Sequence, residues 1–148
     1  MKKTALFFCA TCIYFFSHSQ VLPLREQARV MDEMLAERIN NLLPQLMERN
    51  KIDMWILVSR EYNEDPVLKT MLPATWLSAR RRTILVFYHN PSKKIYEKLA
   101  IARYNVGDNI KAAWDMQQFP DQWDALSDII RTRNPQQIGI NLSKHFAH

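Results

Sequence analysis

Between residues 26 and 50 the apolar side chains Met31, Met34, Leu35, Ile39, Leu42, Leu43 and Leu46 recur every three or four positions, which places them on one face of a helix. Pro44 falls inside this segment. It has no amide hydrogen and its ring clashes with the preceding turn, so a kink or break is expected there, with Asn50 as a left-handed C-cap. The pattern then changes. Met54-Trp55-Ile56-Leu57-Val58 is an unbroken apolar run of strand length, expected for a strand over residues 53–59 buried on both faces. Ile84-Leu85-Val86-Phe87 repeats it over residues 83–88. Turn chemistry at 89–93 then leads to a further strand at 98–104, which predicts an antiparallel hairpin. A short helix fits the loop near 66–72. Pro120 and Asp121 open a helix whose Trp123, Leu126 and Ile130 share a face and which Asn134-Pro135 ends. Ile138, Ile140 and Leu142 alternate with Gly139 and Asn141 as a last strand.

The order of elements predicts an α/β domain: a layered mixed β-sheet flanked by helices. No further helix follows the last strand within the 148 residues, so the C-terminal cover of the sheet is expected to be incomplete, as in a truncated domain. A chain of this length buries a sizeable core as a single domain, and no repeat, low-complexity tract or linker divides it.

Composition narrows the chemistry. The only glycines are Gly107 and Gly139, which excludes glycine-rich phosphate loops and dinucleotide-binding turns. Lys2 and Lys3 precede an apolar run to Phe16 and then Ser17-His18-Ser19, the pattern of a secretory signal peptide over residues 1–19 cleaved before Gln20. A periplasmic or secreted location follows, with no membrane association after cleavage. Cleavage removes Cys9 and Cys12, the only cysteines, and lowers the net charge from +5 to +3 by taking away the two lysines. That modest excess argues against a nucleic-acid partner.

Two segments concentrate polar chemistry. In Ser59-Arg60-Glu61-Tyr62-Asn63-Glu64-Asp65, at the end of the first strand, the carboxylates either hold a cation and raise one another's proton affinity or belong to a solvated loop. Glu61, Asn63 and Asp65 are the candidate contacts. In Thr75-Trp76-Leu77-Ser78-Ala79-Arg80-Arg81-Arg82, the arginines either clamp a carboxylate beside the wall offered by Trp76 or flank a strand in solvent. Adjacent residues point in different directions, so no more than two of the three are expected to converge; Arg80 and Arg81 are the candidates. His145 and His148 are spaced to touch one metal on a helix, without the further ligands zinc requires. No nucleophile elbow and no catalytic centre can be recognised.

The runs Ile52-Asp53-Met54-Trp55-Ile56-Leu57-Val58, Arg60-Glu61-Tyr62-Asn63-Glu64-Asp65-Pro66 and Pro73-Ala74-Thr75-Trp76-Leu77-Ser78-Ala79-Arg80-Arg81-Arg82 resemble the amino-terminal domain of secreted Xaa-Pro aminopeptidase-like metallopeptidases of the creatinase and prolidase superfamily. The likeness extends through Ala102-Arg103-Tyr104, Lys111-Ala112-Ala113-Trp114-Asp115, Pro120-Asp121-Gln122-Trp123 and Ile138-Gly139-Ile140-Asn141. It implies a creatinase amino-terminal domain over residues 20–148, with a ribonuclease H-like layout but no ribonuclease activity. It also implies that peptide cleavage belongs to a following pita-bread domain, absent here, which holds two divalent metals of the manganese, cobalt or zinc type. The chain itself then needs no cofactor and is inactive alone. Its role becomes shaping the substrate entrance and contributing to dimer contacts, with Glu61, Asn63, Asp65, Trp76, Arg80 and Arg81 as the residues concerned. The partners implied are a second copy or a catalytic domain, and the peptide substrate. The alternative is a standalone secreted peptide-binding or regulatory module that pairs with a full-length relative.

Overall fold

The periodic segment folds as α1 (Leu24–Glu37), a π-helical stretch (Arg38–Leu42) and α2 (Leu43–Arg49). The structure, a computed structural model, describes residues 21–146; the expected signal peptide lies outside the described residues, as does His148. The expected break at Pro44 is replaced by a widening of the helix ahead of it. Leu43 donates its amide to the Arg38 carbonyl, five residues back, and the backbone stays right-handed through this turn. In that register the next donor, to the Ile39 carbonyl, would be residue 44, and proline has none. The Tyr96 hydroxyl donates to Ile39 O instead, at 2.6 Å.

The C-terminus of α2 also corrects an expectation. Asn50 is not left-handed (φ −95°); Lys51 is (φ 57°). The Ile52 amide donates to Met47 O and the Lys51 amide to Glu48 O, the paired bonds of a Schellman motif, while Asn50 Nδ2 donates to Leu46 O at 2.8 Å.

The sheet contains β1 (Met54–Arg60), β2 (Arg82–Asn90), β3 (Ile95–Ala100), β4 (Lys111–Ala112) and β5 (Ile138–Ile140), in the order β4-β3-β2-β1-β5. β2 runs antiparallel to both β1 and β3, β5 is parallel to β1, and β4 is parallel to β3. The protein is therefore an α/β fold with a mixed five-stranded sheet and helices. A short helix α3 (Pro66–Lys69) follows β1, and α4 (Gln122–Arg133) precedes β5.

Both faces of β1 and β2 are covered, as their unbroken apolar runs require. On one face Leu57, Leu85 and Phe87 pack with Leu35, Ile39, Leu43 and Met47 of the first helical segment. On the other, Met54, Ile56, Ile84 and Val86 pack with Ala125, Leu126 and Ile129 of α4. Trp123, expected on that buried face, remains 43% exposed. The third strand begins at Ile95 instead of residue 98, because a single 3₁₀ turn over Pro91–Lys93 and left-handed Lys94 suffice to reverse the chain. It leaves the sheet at Ala100, well before residue 104. β5 is an outer strand, with Ile138 and Ile140 exposed.

Candidate functional site

β1 and β2 are paired to their ends, with Arg60 opposite Arg82, so the segment leaving β1 and the segment entering β2 lie side by side. Glu61 donates its amide to Arg81 O at 2.7 Å and accepts the Arg81 amide on Oε2 at 3.1 Å. Glu64 Oε1 accepts the Ala79 amide at 3.2 Å, and Thr83 Oγ1 accepts that of Arg80 at 3.1 Å. Asn63 donates its amide to Arg60 O, closing a turn in which Tyr62 is left-handed and projects into solvent. Glu61 and Glu64 therefore fasten one loop to the other.

Asp65 does not join them. It is buried, caps α3 by accepting the Val67 amide at 2.7 Å, and accepts a bond from Asn141 Nδ2 at 3.1 Å. Asn141 Oδ1 in turn accepts from Trp55 Nε1 at 2.9 Å, and the Asp65 amide donates to Ser59 Oγ. The three carboxylates thus serve three separate sets of backbone and amide donors instead of converging on a cation or remaining a solvated loop.

Trp76 and Arg80 are brought together, along with Tyr104, which sequence reasoning did not single out. The Arg80 guanidinium carbon lies 4.8 Å from the Trp76 ring centroid and 5.8 Å from that of Tyr104, and the two rings are 5.9 Å apart. Beside this stack opens a cavity of about 360 Å³ walled by Arg80, Arg81, Arg82, Arg103, Tyr104 and Trp114. All three consecutive arginines line it. Left-handed Arg81 (φ 53°) interrupts the alternation that extended backbone would impose. Arg82 also lies over Trp123, 5.0 Å from its centroid. Gln122 fixes the far wall by donating to Ile101 O at 2.7 Å and Arg82 O at 3.4 Å, and the Trp114 indole donates to Phe119 O at 2.8 Å. A second concavity, bounded by Arg60, Glu61 and Tyr62, shares Arg81 and Arg82 with the first.

No protein-family model, curated protein or solved structure matches the chain. The site must therefore be read from its own chemistry. Among the described residues no group of three or more His, Cys, Asp or Glu side chains is placed to hold a metal ion. His89, beside the expected turn, packs edge-on against Tyr96 with Nε2 3.6 Å from Glu48 Oε1. Among the described residues no helix is long and apolar enough to cross a membrane.

What the arrangement offers is recognition. Guanidinium groups whose flat faces rest on indole and phenol rings keep their N–H edges for carbonyl, carboxylate or phosphate oxygens, while the rings supply apolar walls. Arg103, Tyr104 and Trp114 lie far along the chain from Trp76 and Arg80. In the sequence they fall within segments of the family resemblance but carry no pattern that marks them as site residues.

Proposed function

We propose that this chain is a non-catalytic recognition domain: the amino-terminal part of an exported, periplasmic or secreted dimetal Xaa-Pro aminopeptidase-like peptidase. In this reading it shapes the substrate entrance and contributes to contacts with a second copy or with the catalytic domain. The antiparallel β1–β2–β3 run with a parallel strand beside β1 supports a creatinase-type, ribonuclease H-like layout. The observation that carries the reading is the convergence of Trp76 and Arg80 with Tyr104, next to the Glu61–Arg81 pairing at the Arg60–Arg82 end of the sheet. The tilted Trp76 and Tyr104 rings offer apolar faces to a proline ring, and the Arg80 N–H edge suits peptide carbonyl oxygens. The two divalent metals belong to the catalytic domain, outside these residues, and no step of hydrolysis is assigned to this chain.

The test uses the purified protein, with tryptophan fluorescence as the readout. An X-Pro peptide is expected to bind saturably and more tightly than its X-Ala counterpart, and to remain intact in the presence of Mn²⁺. Manganese-dependent cleavage, or no preference for proline, would overturn the proposal.

A further inference from the structure

The cavity beside the Arg80 stack has a charge balance that peptide recognition does not require. Arg80, Arg81, Arg82 and Arg103 all line it, and no carboxylate does. Among the described residues, none of these four takes part in an ion pair. Arg80 and Arg82 are held by aromatic rings, so their positions have a packing explanation. Arg103 has no such anchor: among the described residues its exposed side chain makes no hydrogen bond, ion pair or ring contact. Like charges gathered around one concavity repel, and an anion seated among them relieves that repulsion. Tyr104, Trp114 and Met116 complete the wall with aromatic and apolar surface. The volume, about 360 Å³, falls in the range of small-molecule sites and exceeds the needs of an isolated inorganic ion.

We infer that this cavity is a binding site for an oxyanion carried on an aromatic or apolar group, with Arg80 and Arg103 supplying charge-assisted hydrogen bonds and Tyr104 and Trp114 enclosing the organic part. The same fork of donors fits a phosphate monoester and a carboxylate. The inference shares Arg80 and Tyr104 with the peptidase reading but rests on the arginine-only charge of the cavity lining, not on the Glu61 loop. A compact cavity favours a small ligand over nucleic acid, which needs a basic groove that tracks a strand.

Calorimetric titration with phenyl phosphate, benzoate and neutral benzamide tests it. One or both anions should bind at least about tenfold more tightly than benzamide, weakening as KCl is added, and the preferred anion identifies the physiological class. Arg103→Gln and Arg80→Gln should each weaken binding about tenfold or more. Arg60→Gln, which alters only the neighbouring concavity, should change it less than twofold. Equal affinity for benzamide, or affinity unchanged by both substitutions, would overturn the site. So would a single-stranded oligonucleotide that bound more tightly than either anion and lost its affinity with Arg60→Gln. Loss of X-Pro peptide binding with retention of phenyl phosphate or benzoate would dispose of the peptidase reading while leaving this one standing.

Discussion

Asp65 links two elements that are distant in sequence: one carboxylate oxygen caps α3 and the other accepts from Asn141, beyond β5. Loss of an N-cap costs about 0.5–2 kcal/mol, and leaving a half-buried amide donor unpaired adds to it. Asp65→Ala is therefore expected to destabilise the fold by about 2 kcal/mol, seen as a lower urea midpoint, with peptide affinity unchanged in the folded protein. Asp65→Asn, which keeps an acceptor for the Val67 amide, should cost less. A second residue-scale prediction concerns pH. Burial pushes the Tyr96 phenol well above the ordinary tyrosine range, while in the unfolded chain it ionises near its usual pKa of about 10. The folded state then holds this proton when the unfolded state has lost it. The contribution is complete below about pH 10 and is lost as pH rises further toward the folded pKa. Urea midpoints measured from pH 8 to 12 should fall above pH 10, less steeply in Tyr96→Phe. The role of Asp65 was not legible from its loop composition, because the decisive partner, Asn141, lies on the far side of the chain. Trp76 and Arg80 were legible as candidates, but the ring that completes their stack, Tyr104, is brought by β3 and the chain beyond it.

At the scale of elements, the helix around Pro44 shows how a defect is absorbed. Periodicity identified the helix correctly, and the proline signalled an irregularity. That the irregularity would be a π turn depended on a hydroxyl from β3 being available to satisfy Ile39 O. Proline and tyrosine should therefore be energetically coupled. In a double-mutant cycle, Tyr96→Phe is expected to cost about 1 kcal/mol with Pro44 present and measurably less after Pro44→Ala, since an amide at position 44 can serve the same carbonyl. Additive effects would exclude this account of the π turn. The C-terminus of α2 offers an independent check. Lys51 occupies a left-handed position that glycine adopts without steric penalty, so Lys51→Gly should raise the urea midpoint by an amount equivalent to about 1 kcal/mol. β1 and β2 were legible because two-sided burial leaves an unbroken apolar run. β4 was not, since two exposed residues, Lys111 and Ala112, carry no hydrophobic pattern and join the sheet only through parallel pairing with β3.

For the molecule as a whole, the paired helical and sheet layers cover the middle of the sheet and leave chemistry to one end of it. Two apolar clusters fix β1 and β2 from opposite faces, and the loops at the Arg60–Arg82 end are tied together by Glu61 and Glu64. These contacts hold the base beneath the arginine and aromatic surface that the proposed recognition role uses. The most direct test of that claim is a titration of the ¹⁵N-labelled protein with an X-Pro peptide in the presence of Mn²⁺, followed by amide chemical shifts. The account predicts that shifts concentrate at Glu61, Trp76, Arg80, Arg81 and Tyr104 while the peptide signals remain those of the intact substrate. Shifts centred on β5 or the α1 surface, or the appearance of cleaved peptide, would contradict it.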